Sequence, residues 1–214
     1  MISFAVFVFG LVIGSFLNAL IYRLEKGESA FRGRSYCPCC KHSLSWNDLI
    51  PLLSFLFLQG RCRYCQEKIS FQYPLVELAT GIVFVLIFNF SPFGGSPTGG
   101  QFLNLLYLWT LSALLIVIFV YDLKYFLIPD KILYPAIGLA FLWRIFESLE
   151  SGTLASLAIS LFAGLGTALF FFAIYTLSRG RAMGFGDVKL AFLLGLFIGW
   201  PLYRILVALF FAFF

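Results

Sequence analysis

Residues 102–121 read FLNLLYLWTLSALLIVIFVY, and residue 122 is an aspartate. The run contains no Asp, Glu, Lys or Arg and has the ~20-residue length that carries an α-helix across a bilayer core of ~30 Å. Inside that core every backbone N–H and C=O must be satisfied within the chain, so the segment is read as a helix. It decides the fold class, and it ends on a carboxylate at the membrane boundary.

The rest of the chain agrees. Hydrophobic residues make up 61% and charged residues 12% of the 214 positions, with 28 phenylalanines. Soluble domains average roughly 25% charged residues. We therefore expect an all-α polytopic membrane protein with about seven visible spans, at 2–22, 74–91, 102–121, 131–147, 154–177, 188–200 and 202 onward. Trp200-Pro201 separates the last two, because proline interrupts a helix. The first stretch lacks the basic start and the small-residue cleavage site of a signal peptide, so it is read as a retained span. The chain stops at FFAFF within an apolar run, which leads us to expect a further C-terminal portion. No internal repeat is evident.

Orientation follows from Lys and Arg. Arg23, Lys26, Arg32, Arg34, Lys41, Arg61, Arg63 and Lys68 place eight of the fifteen basic residues between 23 and 73. The positive-inside rule makes that loop cytoplasmic and the N-terminus external. Alternation then puts the charge-free 91–101 loop and the 148–153 turn outside, and the 122–130 and 178–187 loops inside. Arg204 is a mild exception to this pattern, and Arg144 is expected to snorkel. The net charge of +5 suits loops facing anionic lipid, so nucleic acid is not expected as a partner. Three units result: a first span (1–22), a cytoplasmic cysteine-rich loop (23–73) and a membrane-embedded domain (74–214), to which the aspartates and cysteines below give an aspartyl-protease and a zinc-binding reading.

Asp122 and Asp187 both fall at cytoplasmic ends of spans, so they can meet. Asp122 closes a helix, where the macrodipole disfavours a carboxylate by roughly 0.3–1 kcal/mol; Lys124 offers it a neutralising charge. Asp187 follows Gly184-Phe185-Gly186, a flexible turn that would suit a helix cap or leave room for a substrate backbone. Asp130, in Ile128-Pro129-Asp130, reads best as an N-cap of the fourth span. Two carboxylates sharing a site cannot both ionise cheaply, so one keeps its proton. Such a pair can activate water and polarise a peptide carbonyl, which is aspartyl-protease chemistry. The single histidine, His42, lies in the cysteine loop, which excludes a serine–histidine triad.

All five cysteines lie in that loop. Cys37/Cys40 and Cys62/Cys65 form two C-x-x-C pairs, the pattern of a four-thiolate zinc site. Disulfides are the alternative, disfavoured in a reducing compartment. Cys39 is surplus, and either it or His42 could replace a ligand. A loop of this size has little core of its own, so a metal would supply the missing stability.

The chain resembles the bacterial prepilin peptidases, the leader peptidases and N-methyltransferases of type IV pili and type II secretion. The resemblance rests on Gly14-Ser15-Phe16-Leu17-Asn18 with Tyr22-Arg23-Leu24, the four-cysteine knuckle, Ser45-Trp46, Asp48-Leu49-Ile50-Pro51 and Tyr73-Pro74-Leu75-Val76-Glu77. It continues through Asp122 with Ile128-Pro129-Asp130, and Gly184-Phe185-Gly186-Asp187-Val188-Lys189. It implies an inner-membrane enzyme of eight spans, with Asp122 and Asp187 as catalytic aspartates near the cytoplasmic face. The implied substrates are prepilin or pseudopilin precursors, cut after a glycine and then N-methylated with S-adenosylmethionine. No glycine-rich methyl-donor motif is visible; the cytoplasmic loop and Gly14–Asn18 are the places to look. Two other readings compete: a transporter using the aspartates as a proton or cation relay, and a membrane scaffold. The transporter fits poorly with carboxylates at span ends, since transport sites lie near the midplane.

Overall fold

The computed structural model describes residues 1–29, 33–90, 99–181 and 183–199. The expected seventh span, the Trp200-Pro201 break and most of the 91–101 loop lie outside them.

Seven α-helices are present among the described residues: α1 (Ile2–Lys26), α2 (Leu53–Phe57), α3 (Gln72–Phe90), α4 (Gly99–Tyr125), α5 (Asp130–Ser151), α6 (Ala155–Leu177) and α7 (Phe185–Ile198), with a short 3-10 helix at Trp46–Leu49. Five of them (α1, α3, α4, α5 and α6) are long and apolar enough to cross a membrane, each beginning and ending within a few residues of the span read from the sequence. The expected sixth span is α7, whose 14 residues extend only about 21 Å at 1.5 Å per residue.

The chain divides into two compact units, Met1–Val120 and Tyr121–Phe214. In the first, α1 presents Val6, Gly10, Gly14, Leu17 and Ile21 as a buried stripe, with the three-and-four spacing of one helix face. It meets Val76, Glu77, Thr80, Gly81 and Phe84 of α3. Gly10 and Gly14 set this contact. A Cβ at Gly14 would stand 2.7 Å from the Glu77 Cα, and one at Gly10 would stand 2.7 Å from the Gly81 Cα. Small residues at four-residue spacing let membrane helices approach backbone to backbone, where no hydrophobic driving force separates helix from lipid. Asn18 Nδ2 donates to the Tyr73 carbonyl (3.0 Å), and α4 joins through Trp109, whose indole N–H reaches the Phe84 carbonyl (3.1 Å).

In the second unit α6 and α7 form the tightest pair. Ser160, Gly164, Thr167 and Phe171 of α6 face Val188, Ala191 and Gly195 of α7. The Thr167 hydroxyl crosses between helices to the Ala191 carbonyl (2.9 Å). α5 holds the far end of α7. Arg144 Nε donates to the Leu196 carbonyl (3.1 Å), its Nη2 donates to the Phe197 carbonyl, and its Nη1 pairs with Glu147 (2.7 Å). These are last-turn carbonyls that the helix itself leaves without donors.

Candidate active site and metal centre

The loop between α1 and α3 is built on two matching knuckles. The backbone of Cys37 exchanges hydrogen bonds with His42 and Lys41, and that of Cys62 does the same with Glu67 and Gln66. Bridges Tyr36–Ser43 and Arg61–Lys68 close the two turns, and Lys41 and Gln66 take the same left-handed conformation (φ 59° and 58°). The second knuckle is thus a structural repeat of the first, an internal duplication that the sequence reading did not find. Side by side, the knuckles gather Cys37, Cys40, Cys62 and Cys65, whose sulfurs lie within 4.8 Å of one another. A tetrahedral zinc with ~2.3 Å bonds needs sulfurs roughly 3.8 Å apart, and the Cys37 and Cys65 sulfurs are already 3.9 Å apart. The donor set therefore fits a structural zinc. His42 stands outside the sulfur cluster, its ring tilted against Tyr64 (centroids 3.7 Å apart), and Cys39 is exposed.

Asp48, between the knuckles, is turned inward, its side chain 3% exposed and paired with Arg63 (2.8 Å). Ser45 donates to it from both hydroxyl (2.7 Å) and backbone N–H (3.1 Å). Burial would raise its carboxyl. The Ser45 hydrogen bonds and the Arg63 guanidinium overcome this and hold it below the usual range.

In the second unit, Asp122 sits in the last turn of α4, which ends at Tyr125; Phe126 then turns left-handed (φ 53°) as its N–H bonds the Asp122 carbonyl (2.7 Å). Asp187 sits in the first turn of α7. Its carboxylate accepts the Gly184 N–H (3.0 Å), while its own N–H reaches the Gly184 carbonyl (3.2 Å). Asp187 thus ties off the helix start as well as presenting a carboxylate. Both aspartates are half-buried. Burial lifts the Asp187 carboxyl above the usual carboxylate range, the Gly184 N–H pulls it down, and the Asp122 charge lifts it again, for a net upward shift.

Two contacts hold the residues after Asp122 against the start of α7. A Cβ at Gly186 would stand 3.0 Å from the Ile128 side chain, so the space this glycine leaves is taken by the chain itself rather than kept for a substrate backbone. Asp130 is the first helical residue of α5, after Pro129 as N-cap; it is not the cap expected from the sequence. Its carboxylate instead pairs with Lys189 (2.6 Å), whose ammonium also lies over the Tyr134 and Phe185 rings. Sequence reasoning missed Lys189 because nothing local marks a partner 59 residues away.

Comparison with known proteins follows this division. Residues 8–90 match the bacterial peptidase A24 N-terminal domain, and residues 109–214 match the type IV leader peptidase family. The chain is 35% identical to a prepilin leader peptidase/N-methyltransferase of Klebsiella pneumoniae over 91% of its length and 84% of that protein's. It is 34% identical to the protein so named in Aeromonas hydrophila, covering 95% and 76% of the two chains. For that of Bacillus subtilis the identity is 32%, over 90% and 72%. No solved structure matches. The relatives are named for leader cleavage and methyl transfer, which gives the transporter reading no support.

Proposed function

We propose that this chain, which belongs to the type IV leader peptidase family, cuts the leader from prepilin or pseudopilin precursors with Asp122 and Asp187 as its catalytic pair. The observation that carries the reading is that half-buried Asp122, in the last turn of α4, and half-buried Asp187, in the first turn of α7, are linked by the Gly186–Ile128 and Asp130–Lys189 contacts, in a multi-pass membrane protein of a peptidase family. The ionised aspartate takes a proton from water as the water oxygen adds to the scissile carbonyl carbon. The protonated partner supplies a proton to the carbonyl oxygen. Collapse of the tetrahedral species breaks the C–N bond, with a proton passed to the leaving amine. The Gly186–Ile128 packing and the Asp130–Lys189 pair hold the two carboxylates in register.

The basic 23–73 loop supports a site at the cytoplasmic face of the inner membrane, with the N-terminus outside. In the domain scheme, the 23–73 loop carries the zinc and 74–214 carries the protease. Cys37, Cys40, Cys62 and Cys65 would hold a structural zinc, which would join the two knuckles of the loop. The N-methyltransferase name of the relatives implies S-adenosylmethionine as donor. Gly14 is closed off by α3, so within the Gly14–Asn18 stretch Asn18 is the candidate contact for its ammonium end. Asn18 Oδ1 is a buried acceptor with no hydrogen-bond partner, and its amide bonds Tyr73, one turn before the buried Glu77.

The test is purified protein in liposomes with a precursor bearing a basic leader and one hydrophobic helix, read by mass spectrometry. The expected product begins immediately after a glycine and gains one methyl group when S-adenosylmethionine is present. An uncut precursor refutes the peptidase, and a cut but unmethylated product refutes the second activity.

A further inference from the structure

Residues 46–57, WNDLIPLLSFLF, lie between the two knuckles and contain one ionisable group, Asp48. That group is the inward-turned carboxylate held by Arg63 and Ser45, so the outer surface of the segment carries no charge. What it carries instead is apolar. Phe57 is 83% and Trp46 76% exposed, and Leu49, Leu53 and Leu56 are exposed beside them. Phe55 turns inward onto Phe71 (5.4 Å between rings), which fixes the segment against the start of α3.

A hydrogen bond sets its depth. The Leu52 N–H donates to the Glu77 carboxylate (2.8 Å) from a left-handed backbone (φ 59°). Glu77 is the sixth residue of α3, which begins at Gln72, and so lies about 7 Å along a membrane-spanning helix. The loop is therefore fastened beside the lipid-crossing part of α3, not above it. At that depth α3 itself exposes Leu75 and Leu78. Arg34, Lys41, Arg61, Arg63 and Lys68 flank the segment against a single further acid within 33–71, Glu67.

We propose that residues 46–57 form an apolar wedge inserted in the interfacial layer of an anionic bilayer beside α3, with the knuckles' basic residues on the headgroups. Uncharged apolar faces with Trp and Phe, bordered by Lys and Arg, lie in that layer, and phosphate headgroups attract the flanking cations. Docking at this depth on a membrane-spanning helix, with basic residues on either side, commits the occupant to lipid rather than to a protein partner. The proposal concerns the first unit alone and stands independently of the peptidase reading.

Photocrosslinking tests it. The full chain carrying Phe57→benzoylphenylalanine, and separately Trp46→benzoylphenylalanine, is placed in liposomes of phosphatidylethanolamine and phosphatidylglycerol and irradiated. Glu67→benzoylphenylalanine, on the exposed second knuckle, is the reference. The expected result is covalent lipid adducts at positions 57 and 46 and their loss at 67. Having two separate wedge positions guards against one variant misfolding. Adducts joining two protein copies at 57 and 46, or lipid adduct yields there no higher than at 67, overturn the proposal.

Discussion

Replacing Gly195 with alanine would place a Cβ 2.7 Å from the Ala163 carbonyl oxygen and 2.8 Å from the Gly164 Cα, and closer still to the Thr167 hydroxyl. Carbon atoms rest ~3.5–4.0 Å apart, so the shortfall is roughly 1 Å against backbone, which no rotamer change relieves. The α6–α7 pair must move apart, weakening the Thr167–Ala191 hydrogen bond. Overpacking of this kind costs about 1–3 kcal/mol. Gly166, on α6, is the matched control, since a Cβ there meets nothing within 4 Å. Both substitutions gain the same helix propensity of about 1 kcal/mol, so the difference between them isolates the clash. At roughly 2–4 °C per kcal/mol for a chain of this size, Gly195→Ala should melt about 2–12 °C below Gly166→Ala. The assay is thermal unfolding of each purified variant in nanodiscs, followed by intrinsic fluorescence. Because α7 carries Asp187, leader cleavage should fall in Gly195→Ala and be kept in Gly166→Ala. Equal melting temperatures would refute the packing argument.

Other consequences follow from the site. Asp130→Asn removes an ion pair whose acid is 54% exposed; such pairs contribute at most ~1 kcal/mol, so leader cleavage should fall only severalfold, and its complete loss would move a catalytic role to Asp130. The upward shift of Asp187 means this carboxyl keeps its proton to a higher pH than an ordinary carboxylate. Cleavage should therefore persist above the usual range of about 4 and fall as pH rises through the raised value; an alkaline limb at the ordinary carboxylate value would count against the shift. Metal analysis should give about one zinc per chain, as a single four-thiolate site requires. Cys62→Ser should lower that value; full retention would remove the metal assignment.

The five long spans were legible because a bilayer imposes a length, and 102–121 meets it without a charge. α7 was legible as a short sixth span at 188–200, and the helix runs Phe185–Ile198. The four cysteines could be read as one cluster from spacing alone, whereas the duplication of the knuckles could not. YCPCCKHS and RCRYCQEK share little beyond two cysteines, and the likeness lies in backbone turns. Asp122 stood out because a carboxylate in a last helical turn opposes the local field. Asp130 misled because a carboxylate after Ile-Pro suits a cap, and the Lys189 that engages it is brought near only by the packing of α5 on α7. Gly186 misled for a related reason. Its missing side chain answers to Ile128, a neighbour that the linear sequence places 58 residues away.

Leader cleavage by purified Asp122→Asn and Asp187→Asn proteins tests the catalytic pair most directly, with unfolding temperature measured alongside. Asparagine keeps the shape of each side chain and removes the charge and the exchangeable proton that the mechanism uses. The account predicts that both variants remain folded and that neither cuts a prepilin precursor. Cleavage at the unmodified rate by either variant would contradict it.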